Sequence, residues 1–191
     1  MDHKLDLAFA QAAAAQMDDY IHAETLYYPL GMMSSAQMQP LTIGAWLETE
    51  WRLKASKTSE TSEVSKTSEV SEVLAAAQTE VRRVRGLAKE LYEAKARREF
   101  KSRLDTWALF LDEALVKLDT TRAIYAAQVP NRFKLELLQA DVSPNQDQWL
   151  RLKTLDMGLR SKFKAGEFVW EPELKAAAPK DKYWWLWGAP V

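Results

Sequence analysis

The sequence predicts an all-α protein: a helical bundle of about five helices with one long central helix, a low-complexity linker and an aromatic C-terminal tail packed on the core. Three observations lead to this prediction. Apolar residues recur at helical spacing in several long segments. Apolar and polar residues do not alternate over four or more positions, apart from a brief stretch at residues 168–170. The segment with the strongest helical pattern, residues 74–119, contains no proline and one glycine, Gly86.

The first part of the chain predicts two helices separated by a loop. Over residues 4–24, apolar side chains recur every four residues, as on one face of a helix. Pro29 and Gly31 end this helix, because both residues favour turns. Thr42 is a suitable N-cap for a second helix over residues 43–55, since its hydroxyl can accept a hydrogen bond from the first turn.

Residues 56–73 are a tandem repeat of six Ser-[Lys/Glu]-[Thr/Val] triplets. The repeat contains three valines and no aromatic residue, too little apolar surface to offset the entropy of ordering it. Its period of three does not match the 3.6 residues of a helical turn. These features favour a mobile linker between an N-terminal helical pair, residues 1–55, and a main region, residues 74–191, that together form one domain. The alternative is a fraying extension of the next helix.

Residues 74–119 carry the strongest helical pattern in the chain and contain no proline. An unbroken helix of this length would measure about 65–70 Å at 1.5 Å per residue. Helices are rarely so long, so we expect a break or kink near Gly86. An apolar stripe runs along the second half: Phe100, Leu104, Trp107, Leu111, Ala114 and Leu118.

Two further helices are expected before the tail. A short helix follows Pro130 and covers about residues 131–140. Ser143 and Pro144 then favour the start of the next helix, because serine caps a helix and proline suits its first position. Gly166 is the expected end of that helix.

Composition argues against several kinds of site. The chain contains no cysteine, which excludes disulfides, thiolate zinc sites and cysteine nucleophiles. It also contains no glycine-rich phosphate loop, dinucleotide fingerprint or nucleophile elbow. We therefore expect no cofactor, and the sequence weighs against an enzyme.

The N-terminus and the hydropathy pattern predict a cytoplasmic protein without a transmembrane helix. Asp2 and Asp6 occupy the region that is basic in a signal peptide. The chain has no run of 18 uncharged apolar residues. A formal net charge of −1 gives no overall attraction to nucleic acid or anionic lipid.

One histidine has carboxylates at helical spacing. Asp18 and Asp19 precede His22 by four and three residues, which places them on neighbouring turns of the predicted first helix, and Glu24 follows. A metal or acid–base site needs such neighbours. A surface His–Asp pair at the end of a helix explains the same residues, and no metal is expected.

The main charge feature is cationic. Between Arg82 and Arg103 lie nine cations and three acids, a net charge of +6. A cationic helix can follow the phosphates of a nucleic acid. Pairing with the acidic N-terminal helix, or with a partner protein, explains the same pattern. The candidate binding residues in this segment are Arg82, Arg85, Lys89, Arg97, Arg98, Lys101 and Arg103.

The tail holds the densest aromatic cluster. Trp184, Trp185 and Trp187 cannot all point the same way on a helix or on a strand. Some of these side chains should pack on the core while others stay exposed for a partner, since tryptophan is favoured in binding sites.

These features together predict a non-enzymatic α-helical interaction or accessory subunit that binds another protein through the cationic helix and the aromatic tail. Nucleic-acid binding by the segment 82–103 is one alternative. An enzyme or metal protein with a site near residues 18–24 is the other. Self-association into a homo-oligomer is also open.

Overall fold

The computed structural model describes residues 2–33, 36–57, 64–114 and 118–191, and most of them are helical. This confirms the predicted all-α class. None of the helices in these ranges is both long and apolar enough to cross a membrane. The α-helices are α1 (His3–His22), α2 (Ile43–Lys57), α3 (Val64–Leu87), α4 (Lys89–Ala114), α5 (Leu118–Asp141) and α6 (Gln146–Ser161).

Short strands and 3₁₀ helices complete the described fold. The strands form two antiparallel pairs, the first with the second and the third with the fourth. Sequence patterns missed both pairs, because the two strands of the first pair have only two residues each and the four middle residues of the third strand are all exposed, so apolar and polar residues do not alternate. The strands are β1 (Met32–Met33), β2 (Ala36–Gln37), β3 (Phe163–Phe168) and β4 (Trp187–Pro190), and the 3₁₀ helices are Pro172–Ala177 and Trp184–Leu186.

The chain divides into two compact units, Met1–Glu99 and Phe100–Val191, with the boundary inside α4. We call them the N-terminal unit and the C-terminal unit. The N-terminal unit thus groups α1 and α2 with α3. The grouping of residues 1–55 and 74–191 into one domain stays a prediction.

In the N-terminal unit, α1 packs against α2 and α3. The predicted cap of α2 is confirmed, because the Thr42 hydroxyl accepts a hydrogen bond from the Ala45 N–H at 3.0 Å. A second acceptor at this helix end comes from α4. The buried Glu99 carboxylate accepts a hydrogen bond from the Gly44 N–H at 2.9 Å. Two free N–H groups of the first turn are therefore satisfied by side chains.

The triplet repeat differs from its predicted structure. Helix α3 begins at Val64, so the linker prediction is wrong for residues 64–73 and the helical alternative applies there. The side chain of Leu74 is buried directly after the repeat. Once that anchor holds the helix, each further residue adds one hydrogen bond, which favours helix over coil. Residues 58–63 of the repeat lie outside the described ranges.

The expected break in the long helical segment is confirmed. Helix α3 ends at Leu87 and α4 begins at Lys89, next to Gly86. A Cβ atom at Gly86 would meet nothing within 4 Å, so packing does not require glycine there. The flexible backbone of glycine in a helix interior accounts for the position of the break.

In the C-terminal unit, α5 begins before the position that the sequence predicted. The prediction of a helix starting after Pro130 is wrong, because α5 runs from Leu118 to Asp141 with Pro130 inside it. Tyr125 and Phe133 are fully buried on either side of the proline. The packing of these large side chains outweighs the hydrogen bond that proline removes.

Helix α6 also differs from prediction at both ends. Asn145 is its N-cap, in place of the expected Ser143 and Pro144. The Asn145 side chain accepts from the Gln148 N–H at 2.8 Å, and the Gln148 side chain accepts from the Asn145 N–H at 3.3 Å, a reciprocal capping box. The helix ends at Ser161, and Gly166 lies within β3.

Candidate functional site

The tail is anchored in the C-terminal unit by Trp185. Its side chain is buried, and its carbonyl accepts a 2.8 Å hydrogen bond from the Tyr125 hydroxyl. The guanidinium of Arg132 lies 3.9 Å from the centre of the Trp185 ring. This distance is typical of a cation–π contact, which gains strength where water is excluded. Trp185 is therefore a core residue and not a surface residue.

Arg132 is itself held by carboxylates. Its side chain is buried and forms two hydrogen bonds to Asp156, at 3.0 and 2.8 Å, and a third to Glu136 at 3.3 Å. Such a fork fixes both the position and the plane of the guanidinium. The ring of Trp185 thus packs against a rigid cation.

The antiparallel pairing of β3 with β4 depends on Gly188. Its φ of +142° is one that L side chains rarely adopt. A Cβ atom there would lie 2.2 Å from the carbonyl oxygen of Lys164. Glycine is therefore required where the two backbones approach most closely.

Two tryptophans of the tail line a groove of about 650 Å³ beside β3. Trp184 and Trp187 are both half-buried, in contrast to Trp185 between them. We call this feature the aromatic groove. It is lined by Arg160, Phe163, Ala165, Gly166, Glu167, Lys180, Trp184 and Trp187.

The ring of Trp184 is held from several sides. The rings of Phe163 and Trp185 meet it edge to face, with centroids 5.1 and 5.8 Å away. The guanidinium of Arg160 lies 4.2 Å from the ring centre. Arg160 belongs to the last turn of α6, so the end of this helix places a cation over the wall of the groove.

The ring of Trp187 is oriented by a hydrogen bond and by two cations. Its indole N–H donates to the carbonyl of Ala178 at 2.8 Å. The Nζ atoms of Lys180 and Lys175 lie 4.5 and 5.4 Å from the ring centre. Phe168 packs beside the same ring at 5.1 Å. Trp187 therefore presents a fixed apolar surface with cations beside it.

The arrangement suits a ligand that is both apolar and acidic. Arg160 and Lys180 line the groove against a single lining acid, Glu167. Carboxylates of a ligand can pair with the two cations while its apolar groups contact the indoles. This chemistry is recognition of a ligand and requires no catalytic group.

In the N-terminal unit, the candidate cations Arg82 and Arg85 each contact a residue nearby in sequence. The Nε of Arg82 donates to the carbonyl of Gln78 at 3.1 Å. The guanidinium of Arg85 lies 4.8 Å from the centre of the Tyr92 ring. Arg82 thus lies along the surface of α3, and Arg85 of α3 packs on a ring of α4.

Glu93 pairs with two more of the candidate cations. Its carboxylate lies 2.7 Å from Arg97 and 3.9 Å from Lys89, each one helical turn away. Exposed pairs of this kind contribute about 0.3–0.5 kcal/mol each. They also neutralise part of the charge that the sequence places on this helix.

Two cations of α4 hold the C-terminal end of α1. The ammonium of buried Lys95 donates to the carbonyls of Tyr20 and Ala23, and Arg98 donates to the carbonyl of Glu24 at 2.8 Å. Cations near a helix C-terminus satisfy free carbonyls and oppose the negative end of the helix dipole. Burial, and secondarily the charge of Arg98, lowers the pKa of Lys95.

Two candidate cations belong to the C-terminal unit. Lys101 pairs with Asp105 at 3.1 Å, and Asp105 also accepts a hydrogen bond from Arg151. Hydrogen bonds from Arg151 and Lys101 lower the pKa of Asp105. Arg103 and Asn131 exchange two hydrogen bonds, at 3.2 and 3.0 Å.

The residues around His22 form a simple helix end. The Nδ1 of His22 lies 2.9 Å from the backbone carbonyl of Asp18, not from its carboxylate. Within the described ranges, no three His, Cys, Asp or Glu side chains are placed to hold a metal ion.

Sequence reasoning found the two tryptophans of the aromatic groove but missed its other members. Phe163 falls inside the helix that the sequence predicts to continue to Gly166, whereas in the structure it begins β3. Arg160 belongs to the helix in both cases, and the sequence pattern does not indicate that its side chain reaches Trp184. Lys180 left a usable signal, since it lies seven residues before Trp187, whose ring its ammonium approaches, and cations often pack on nearby rings.

The aromatic groove brings two half-buried indoles and two cations together in one cavity. Trp184 and Trp187 supply the apolar walls, and Arg160 and Lys180 supply the charge. Comparisons with protein-family models, with curated proteins and with solved structures found no match to this chain.

Proposed function

We propose that this protein is an interaction protein whose aromatic groove binds an acidic segment of a partner protein. One observation carries the proposal. Trp184 and Trp187 are half-buried in the same groove, and each has a cation over its ring. Tryptophan and arginine side chains in such positions dominate the binding energy of many protein interfaces.

The charges of the groove select the class of ligand. Arg160 and Lys180 face a space that contains one acidic lining residue, Glu167. An acidic segment brings opposite charge to both cations, which speeds association and disfavours basic competitors. Its apolar side chains can replace water on the indole surfaces.

Packing around Trp184 favours a protein ligand over a single-stranded nucleic acid. Bases bind such sites by stacking on open aromatic faces. Arg160 covers one face of Trp184, while Phe163 and Trp185 pack edge to face with the same ring. An acidic peptide needs no open ring face, because its carboxylates pair with the cations where they already lie.

Fluorescence anisotropy with a short labelled peptide in which glutamate and valine alternate tests the proposal. We expect the peptide to bind, and the same peptide with lysine in place of glutamate to bind far more weakly. The double variant Arg160→Glu/Lys180→Glu should weaken binding about tenfold, which corresponds to the loss of two surface ion pairs.

A matched control exists on the same helix. Lys153 lies 3.8 Å over the ring of Trp149, as Arg160 lies over Trp184, but it does not line the groove. Lys153→Glu changes the net charge as Arg160→Glu does and should leave the affinity unchanged. Equal losses of peptide affinity in Lys153→Glu and Arg160→Glu, or no binding of the acidic peptide, would overturn the proposal. Tighter binding of a labelled oligothymidylate, lost in the same variants, would replace it with the nucleic-acid alternative.

A further inference from the structure

We infer that the partner segment binds as an extended strand, added to the free edge of β3 beside the aromatic groove. This inference rests on the proposed function and specifies the conformation of the ligand. Adding a strand to an exposed sheet edge is a known mode of peptide recognition, in which main-chain hydrogen bonds supply affinity.

One edge of β3 is available for pairing. Among the residues that the structure describes, β4 is the only strand paired with β3. The side chains of residues 164–167 are all exposed. The groove lies along Phe163, Ala165, Gly166 and Glu167, so a strand at this edge would also lie against the groove.

The register of the sheet identifies the backbone groups that face the free edge. The Val191 N–H donates to the carbonyl of Lys162 at 2.7 Å, so Lys162 faces β4. Backbone groups alternate along a strand between the two edges. Lys164 therefore also faces β4, and Phe163 and Ala165 direct their N–H and C=O groups to the free edge.

Small residues leave this edge open to a second backbone. Ala165 and Gly166 form the middle of β3. A Cβ atom at Gly166 would meet its nearest neighbour, the Cα of Gly188, at 3.8 Å, an ordinary contact. Internal packing therefore does not require glycine at residue 166. Glycine in a strand is common where another backbone approaches closely.

The faces of β3 specify the sequence pattern of the ligand. Successive side chains of a strand point to opposite faces. Phe163 lines the aromatic groove and Lys164 lines a separate cavity, so these two side chains lie on opposite faces, while the small Ala165 borders both cavities. An added strand would place alternate side chains beside the groove and the rest beside the lysine. The expected pattern is therefore apolar residues alternating with acidic residues.

Charge also disfavours a second copy of this chain as the added strand. Arg160, Lys162 and Lys164 are all exposed along the approach to this edge. Glu167 is the one exposed acid of β3, so pairing β3 with β3 of another molecule would bring together two edges that each carry excess positive charge, which weakens their association. An acidic segment brings the opposite charge to the same positions.

Backbone methylation of the ligand tests strand addition separately from groove binding. The alternating glutamate–valine peptide is compared with a version N-methylated at every second amide, which removes main-chain donors and keeps the side chains. We expect methylation on the strand-facing amides to weaken binding at least about tenfold, because several main-chain hydrogen bonds are lost. Methylation of the other set of amides should have a smaller effect.

The outcomes separate the two proposals. Equal binding of both methylated peptides, still reduced by Arg160→Glu/Lys180→Glu, would overturn strand addition and leave the proposed function in place. Binding of none of the peptides would overturn both. A concentration-dependent dimer in sedimentation that the peptide dissociates would show that a second copy occupies the edge, and would also overturn the inference.

Protein variants and amide exchange give a readout that does not depend on modified peptides. Ala165→Pro removes one N–H of the free edge and no hydrogen bond to β4, and proline is tolerated on edge strands. It should lower peptide affinity. In the unmodified protein, bound peptide should slow hydrogen exchange at the Phe163 and Ala165 amides. Unchanged exchange at both amides in the presence of saturating peptide would overturn the inference.

Discussion

The hydroxyl of Tyr125 donates a 2.8 Å hydrogen bond to the main-chain carbonyl of Trp185, and both side chains are buried. The bond joins α5 to the tail of the chain across 60 positions of sequence. Trp185 lies between Trp184 and Trp187 in sequence, so this contact fixes the backbone from which both groove tryptophans project. The shape of the aromatic groove therefore depends on a buried contact outside it.

Removing this hydroxyl should destabilise the C-terminal unit. Tyr125→Phe leaves the Trp185 carbonyl buried without its partner, which costs about 1–3 kcal/mol in the free energy of unfolding. Urea denaturation followed by circular dichroism measures the change. Trp149→Phe, at an exposed position of the same unit, should change stability by less than about 0.5 kcal/mol. A midpoint for Tyr125→Phe equal to that of the wild type would contradict this role.

Stability should fall at alkaline pH through the same residue. Burial raises the pKa of Tyr125 far above its usual value of 10.0. The folded state therefore holds this proton more tightly than the unfolded state does. The resulting stability is complete below pH 10.0 and is lost as the pH rises above that value.

The matching measurement is the free energy of unfolding as a function of pH between neutral and strongly alkaline solution. Above the usual pKa of tyrosine, the wild type should lose about 1.4 kcal/mol more per pH unit than Tyr125→Phe. Parallel curves for the two proteins would show that the phenol ionises without unfolding.

Two glycines of the β3–β4 pair should respond differently to the same substitution. Gly188→Ala places a Cβ atom against the Lys164 carbonyl at an unfavourable φ, so it should cost at least about 2 kcal/mol and disrupt the groove. Gly166→Ala meets only an ordinary contact and should change stability by less than about 1 kcal/mol. Thermal unfolding compares them directly, and similar losses in both variants would contradict the described approach of the two strands.

The N-terminal unit offers a test at Glu99. Glu99→Ala removes a buried acceptor from the first turn of α2 and should cost about 1–3 kcal/mol. Glu99→Gln keeps an acceptor oxygen and should restore part of that loss. Urea unfolding of the two variants measures the difference. A glutamine variant as unstable as the alanine variant would show that the charge, and not the hydrogen bond, is the main contribution.

The helices could be predicted where local pattern determines them. Thr42 caps the helix that its hydroxyl predicts, and the break follows from the length of the segment, with Gly86 indicating its position. Helix boundaries were predicted wrongly where packing between residues that are distant in sequence determines them. Pro130 is a helix breaker by local rules, but Tyr125 and Phe133 bury enough surface to keep it inside α5.

The aromatic groove could be predicted only in part. Trp184 and Trp187 drew attention as members of an aromatic cluster. The sequence does not distinguish the buried Trp185 from the half-buried Trp184 and Trp187. The burial of Trp185 depends on Tyr125 and Arg132, which are distant in sequence. The cations of α4 carried a strong sequence signal. In the N-terminal unit the structure uses Lys95 and Arg98 to hold the end of α1, a role that charge counting does not reveal.

The position of the triplet repeat has a consequence for natural length variation. Tandem triplets are prone to gain or lose copies, and each copy changes a helix by about 4.5 Å. Residues 70–73 are exposed or half-buried, and Leu74 is the first buried side chain of α3 among the residues whose burial the structure describes. Copies added or lost ahead of Leu74 would therefore change the length of chain before the buried part of α3 and leave the buried face after Leu74 in register. Such a helix can tolerate polymorphism in copy number that would disrupt a buried element.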